Sequence, residues 1–213
     1  MHLLLDLDGT LTDSFLGISR CINHALAELG RDEVPSAGFR SYVGRPLATV
    51  FGILLETNDA ALIDQAISAY RARFDNVGIF ENSLYPGVVQ ALDDFCRWGH
   101  SLSIVTVKTG PAARRVVSHF GIQGYFTSIH GSDPLDRSCS KEELLRVALN
   151  GVDHARAAMV GDHVDDINAA KSNGVKAIAA GWGYSSQAEL RAANPDFLAE
   201  TISDLVTWVR TAG

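Results

Sequence analysis

A chain of 213 residues that is 46% hydrophobic and 20% charged carries enough apolar material for a sizeable core, which excludes a disordered or low-complexity protein. Its formal charge of -7 leaves no general attraction for nucleic acid or for an anionic membrane, so a small or locally recognised substrate is the expected partner. Cys21, Cys96 and Cys139 are scattered without CxxC spacing, which argues against a disulfide or zinc framework and makes Cys21 and Cys96 candidates for buried filler.

Residues 2 to 7 read as a short apolar strand running into the acidic turn Asp8-Gly9-Thr10. The run is far too short for a signal peptide or a membrane span, so the cytoplasm is the expected location. From about Ser14 to Leu84 the pattern is helical, with Ile18 to Leu29, Leu47 to Leu55 and Ala60 to Phe74 as helices and no clear strand. Gly17 and Pro86-Gly87 supply turns at the two edges of this stretch.

Beyond it, strand and helix alternate. Helical spacing marks Val88 to Trp98, Pro111 to Phe120, Lys141 to Leu149 and Asp165 to Asn173. Apolar strand runs mark Leu102 to Thr106, Phe126 to His130, Ala157 to Val160 and Lys176 to Ala180. Such alternation predicts an α/β fold, a doubly wound parallel sheet, formed by residues 1–13 and 85–213, with residues 14–84 inserted as a small α-helical domain.

In an open parallel sheet ligands bind beyond the carboxyl ends of the strands. Asp6 and Asp8 lie at the end of the first strand, two residues apart and on one face, and Gly9 allows the tight turn after them. An aspartate is a suitable nucleophile for splitting a phosphate monoester in two steps, and a second carboxylic acid can protonate the leaving alkoxide. Asp6 is the candidate nucleophile and Asp8 the candidate acid/base.

Two negatively charged reactants need positive charge between them. Asp162, at the end of the strand Ala157 to Val160, and Asp166, one helical turn on, are candidate ligands for a hard cation such as Mg2+. Thr106 closes its strand with a hydroxyl, and Lys141, one of only four lysines, opens a helix with an ammonium. Both are candidates for holding phosphate.

These residues, taken in order, resemble the four motifs of the haloacid dehalogenase-like hydrolase superfamily: Asp6/Asp8, Thr106, Lys141 and Asp162/Asp166. Asn23-His24-Ala25-Leu26, Tyr85-Pro86-Gly87-Val88, Lys141-Glu142-Glu143-Leu144-Leu145 and Gly181-Trp182-Gly183-Tyr184 are similar to the phosphoglycolate phosphatase-like branch with a helical cap. The resemblance implies a magnesium-dependent phosphatase working through an aspartyl phosphate on Asp6. It also implies a metal site of Asp6, Asp162, Asp166 and the backbone carbonyl of Asp8, and a cap that closes over the substrate and selects it. On the same footing Arg45, in the cap loop Val43-Gly44-Arg45-Pro46, is the candidate for reading the rest of the substrate.

Other residues carry blander expectations. Lys108 reads as a surface charge before a phosphate contact, Asp165 as a solvated helix-start charge and Trp182 as a core seal before a substrate contact, while His163 sets a titratable ring beside the metal ligands. The expected substrate is a small phosphate monoester, 2-phosphoglycolate first, with nucleoside 5'-monophosphates and sugar phosphates as alternatives. A sugar phosphomutase would need a proton-transferring group where Ile18 stands, and residues 14 to 84 contain no lysine for a Schiff base. A non-catalytic binding protein would not need the complete set. The protein is expected as a monomer or homodimer.

Overall fold

A computed structural model describes residues 1–35, 38–39, 42, 45–133 and 139–212. The described residues fall into two compact units, Met1–Asp13 with Leu84–Gly213, and Ser14–Ser83.

The first unit is a parallel sheet with helices on both faces. Its strands are β1 (His2–Leu5), β4 (Ser101–Thr109), β5 (Ser128–Ser132), β6 (Ala157–Gly161), β7 (Lys176–Ala180) and β8 (Phe197–Ala199), in the order β5-β4-β1-β6-β7-β8. Strands β2 (Thr12–Asp13) and β3 (Ser83–Leu84) lie where the chain leaves this unit and returns, and the Tyr85 amide donates to the Leu11 carbonyl at 3.1 Å.

Leu3, Leu4 and Leu5 are all buried, because β1 is central and covered on both faces. Leu4 joins Val105, Met159, Leu145 and Ile167 in a core under α6 (Lys141–Ala148) and α7 (Val164–Ser172). On the other face Leu5 meets Leu92 and Phe95 of α4 (Val88–Arg97) and Leu205 of α9 (Ile202–Ala212). α5 (Gly110–His119) packs on β4 and β5.

After β1 the chain moves to one side of it, through β4 to β5, then crosses back to β6 on the other side. The strand order therefore reverses between β1 and β6, which is where a crevice opens beyond the strand ends.

The second unit is helical, with α1 (Phe15–Glu28), α2 (Leu47–Leu54) and α3 (Ala60–Phe74). Arg73 of α3 holds Glu81 through two contacts, at 2.7 and 3.1 Å, and Arg20 of α1 reaches the same carboxylate at 2.7 Å. The Arg73 hydrogen bond, with help from Arg20, keeps Glu81 below the usual carboxylate range.

Some expectations need correction. β1 ends at Leu5, although the Asp6 amide still donates to the Val160 carbonyl at 2.9 Å. β5 starts two residues later than its apolar run, because a short 3-10 turn at Gln123–Tyr125 delays the chain's entry into the sheet. β4 runs on to Thr109, so Thr106 does not end it; Thr106 instead marks the point where its register with β5 slips. Cys21 is buried, whereas Cys96 is exposed on α4 and fills nothing. α8 (Gln187–Ala192), β8 and α9 complete the fold beyond the elements read from periodicity.

Truncating Leu4 to alanine removes buried methyl groups from the most enclosed strand. Leu4→Ala is expected to lower stability by about 3 kcal/mol, read as a reduced midpoint in urea denaturation with an unchanged m-value.

Candidate active site

At the end of β1 the loop after Asp6 folds back on one carbonyl. The amides of Leu11 and Thr12 both donate to Leu7 O at 2.9 Å, and Gly9 N–H donates to Thr12 O at 2.7 Å. Gly9 has φ +85, and a Cβ there would collide with the Asp162 carboxylate. A Cβ on Gly183 would strike the same side chain. Two loops can thus close on Asp162 only because both approach it as bare backbone.

Asp162 follows β6 directly, across the crevice from Asp6. Its Oδ2 accepts the Tyr184 amide at 2.8 Å and its Oδ1 accepts the Thr10 hydroxyl at 3.3 Å. Asp166 stands in the first turn of α7, where its Oδ2 accepts the His163 amide at 3.0 Å. His163 caps that helix through Nδ1, which accepts the Asp165 amide at 3.2 Å. Asp165 is largely exposed, and its carboxylate, 3.3 Å from the same Nδ1, favours the protonated ring and chiefly holds the His163 imidazole above its ordinary pKa, a form in which Nδ1 would turn from the amide to that carboxylate.

Lys141 is the first residue of α6, whose N-cap Ser140 accepts the Glu143 amide at 3.1 Å. An ammonium at a helix N-terminus opposes the helix dipole. Its partners explain the placement: Nζ lies 2.8 Å from Asp6 Oδ1 and 2.8 Å from Asp166 Oδ1, and donates to the Val105 carbonyl at 3.1 Å. Both carboxylate contacts are ion pairs whose angles fall short of a hydrogen bond.

Thr106 is buried, and its hydroxyl oxygen accepts the Lys108 amide at 3.2 Å. Lys108 is not a surface charge: its side chain is 8% exposed and Nζ lies 2.9 Å from Asp8 Oδ2. The alternation of β4, which sends Thr106 and Lys108 to one side, was the signal for it. Trp182 is half-buried, lines the apolar cavity of Leu5, Leu92 and Phe95 as expected of a core seal, and also braces the loop after Asp6 by donating through Nε1 to the Thr10 carbonyl at 3.0 Å.

All six of Asp6, Asp8, Thr106, Lys141, Asp162 and Asp166 belong to the first unit. Arg45 belongs to the second, exposed in the bend before α2, and its neighbours Val43 and Gly44 lie outside the described residues.

The electrostatics are dominated by crowding. Four carboxylates, of Asp6, Asp8, Asp162 and Asp166, meet two ammonium groups, of Lys108 and Lys141, which leaves two uncompensated negative charges when all are ionised. Burial pushes Asp6 up to about 6, against the pull of Lys141 and with the repulsion of Asp166. Burial and the charges of Asp6 and Asp166 push Asp162 up to about 7. For Lys141 burial acts downward, but Asp166 and Asp6 outweigh it and hold the ammonium above its usual range.

Asp6, Asp162 and Asp166 each offer an oxygen within 4.8 Å of the others. An all-carboxylate set with excess negative charge suits a hard divalent cation, and these three residues fit Mg2+. The Asp8 side chain is not one of the three.

Residues 3–180 match the family described as haloacid dehalogenase-like hydrolase. The chain belongs to that family. It is 38% identical to a 5'-nucleotidase of Pseudomonas aeruginosa, over 91% of this chain and 88% of that one. It is 34% identical to the tyrosine-protein kinase PtkA of Mycobacterium tuberculosis, over 98% of this chain and 68% of that one. A phosphoglycolate phosphatase of Vibrio parahaemolyticus is 29% identical, over 94% and 92%. Among solved structures, a predicted phosphatase from Clostridium acetobutylicum superposes with a TM-score of 0.91 at 29% identity, covering 99% of this chain and 98% of that one. Family and relatives together support a phosphatase.

The raised acids set a pH dependence for this hydrolase. Between the ordinary carboxylate pKa of about 4 and the folded values, the unfolded chain has ionised acids where the folded chain keeps them protonated. Folding therefore takes up protons, and stability falls as pH rises through that window. In chelator, Asp162→Asn is expected to melt about 5 °C above the parent at pH 8, with the gap closing at pH 4. Thermal melts at both pH values check this; a gap independent of pH counts against charge crowding as its cause.

Proposed function

We propose that this phosphatase hydrolyses a small phosphate monoester with the help of Mg2+, through an aspartyl phosphate on Asp6. The observation that carries the reading is the placement of Asp6 at the sheet's switch point, beside the Lys141 ammonium and within reach of Asp162 and Asp166. When bound, the cation would be held by Asp6, Asp162 and Asp166, and would neutralise phosphoryl oxygens as charge shifts onto them.

The chain's own groups do the rest. A carboxylate oxygen of Asp6 forms a bond to phosphorus while the ester P–O bond breaks, and the bonding pair leaves on the alcohol oxygen. That oxygen takes a proton from Asp8. In the second half water attacks phosphorus, Asp8 takes the water proton, and the pair of the Asp6–phosphorus bond returns to Asp6. Lys141 stays charged throughout and offsets the negative charge of the nucleophile and the transferring group. The Thr106 hydroxyl is assigned to a phosphoryl oxygen.

Residues 14–84 are assigned the role of a cap that chooses the ester, with Arg45 as its reader. Nucleoside 5'-monophosphates now stand ahead of 2-phosphoglycolate, because the 5'-nucleotidase shares 38% of its aligned sequence with this chain and the phosphoglycolate phosphatase 29%.

Asp6→Asn is expected to lower magnesium-dependent phosphate release from p-nitrophenyl phosphate by at least about 10³-fold, and chelator should abolish the wild-type activity. Undiminished turnover by the variant would sink the mechanism. A phosphate-release screen over nucleoside 5'-monophosphates, 2-phosphoglycolate, sugar phosphates and pyrophosphate ranks the substrates. Arg45→Ala should reorder that ranking while leaving p-nitrophenyl phosphate within about 3-fold of the parent; a uniform loss would remove Arg45 from substrate choice.

A further inference from the structure

Asp8 has two carboxylate oxygens in different surroundings. Oδ2 lies 2.9 Å from Lys108 Nζ, and the Lys108 side chain is itself only 8% exposed. Oδ1 is buried and has no hydrogen-bond partner. A buried carboxylate oxygen left without a donor is costly and calls for an explanation.

Lys108 is held in turn. It sits two residues past Thr106, and its backbone amide donates to the Thr106 hydroxyl at 3.2 Å. The next strand contributes as well, because the Ser132 hydroxyl donates to the Val107 carbonyl at 2.8 Å. This stretch of β4 is where its register with β5 slips, between Thr106 and Thr109. A regular continuation would carry the ladder straight through; here both the carbonyl and the amide of the Val107–Lys108 peptide are held by side chains.

We propose that Lys108 is a positioning residue for Asp8: by engaging Oδ2 it fixes the rotation of the carboxyl group and offers Oδ1 alone for proton exchange. The inference rests on the proposed hydrolase mechanism and deepens it. An ammonium has donors and no lone pair, so a proton on Asp8 cannot sit between Oδ2 and Lys108. It must sit on Oδ1, the oxygen without a partner. The proton given to the departing alcohol, and the proton later taken from water, both pass through Oδ1.

This predicts dependence on the leaving group. An alkyl phosphate expels a strongly basic alkoxide and needs the proton from Asp8, whereas p-nitrophenolate leaves without it. The parameter to measure is kcat/KM, which covers the steps up to alcohol release and excludes the later attack of water. Lys108→Met is expected to lower kcat/KM by about 30-fold or more on an alkyl phosphate, within the range of general acid–base catalysis, and by less than about 3-fold on p-nitrophenyl phosphate. Lys108→Arg should recover most of the alkyl phosphate activity.

A double-mutant cycle completes the test. On the Asp8→Asn background, adding Lys108→Met should cost nothing further on the alkyl phosphate, because the group that Lys108 orients is already disabled. An equal loss on both esters, or additive losses in the cycle, would overturn the proposal and make Lys108 a phosphate contact or a structural support. A change confined to KM would overturn it in favour of substrate binding. If the parent releases no phosphate from any ester, the hydrolase mechanism falls and this inference with it, an outcome distinct from an active parent with a uniformly weakened variant.

Discussion

Three carboxylates share one small buried space with a single ammonium, and most of the first unit's local structure follows from making that arrangement tolerable. Lys141 lies 2.8 Å from both Asp6 and Asp166. Without a cation of some kind, burying those acids at such close range would carry a desolvation and repulsion cost that few folds could bear. The values of about 6 for Asp6 and about 7 for Asp162 show that Lys141 compensates only part of it. The remaining deficit is what a divalent metal would supply. The site is therefore strained by charge rather than by backbone, and the affinity for a cation that is proposed for it would have the same origin as that strain.

The supporting structure follows from that constraint. Asp162 is approached by backbone at Gly9 and Gly183, where any Cβ would displace it. Asp166 and His163 form a reciprocal cap, so the carboxylate that faces Lys141 with one oxygen anchors the start of α7 with the other. Trp182 braces the loop after Asp6 through the Thr10 carbonyl, and Tyr184 ties Asp162 by its amide and Asp13 by its hydroxyl, at 2.8 and 3.0 Å. One loop after β7 thus holds both the metal-ligand side and the segment through which the chain leaves the first unit.

The parts of this arrangement that the sequence discloses are those that sit directly after an apolar strand. Asp6 and Asp162 are readable because buried parallel strands are uniformly apolar, so an acid at the end of one stands out. Lys141 and Asp166 are readable through helix starts. What was less legible depends on where a chain bends or what a long side chain reaches. Lys108 looks like any surface lysine until the path of β4 turns it toward Asp8, and Trp182 looks like core alone until its indole finds a carbonyl 172 residues earlier in the chain. β8 and α8 are illegible for a different reason. Short elements at a sheet edge, three residues in β8 and six in α8, are too brief for periodicity to mark. Cys96 is exposed because its position on the amphipathic helix α4 places it on the outer face.

The same geometry explains why the chemistry is easier to read than the substrate. Every charged group gathered at the candidate site is assigned in the proposed mechanism to a phosphoryl group, a metal or a proton: Asp6, Asp162 and Asp166 share a space with Lys141, and Asp8 is engaged by Lys108. None is left over to recognise the alcohol side of an ester. Selection must then come from groups outside that set, which is the role proposed for the second unit. Its helices α1 and α3 are both tied to Glu81, so Arg20 and Arg73 are consumed in holding the unit together. Arg45, exposed before α2, is not tied to Glu81 and has no place in that framework. An arginine fork suits carboxylate and phosphate alike, so the reader proposed at Arg45 would be compatible with several anionic esters, and its surroundings rather than its charge would then rank them.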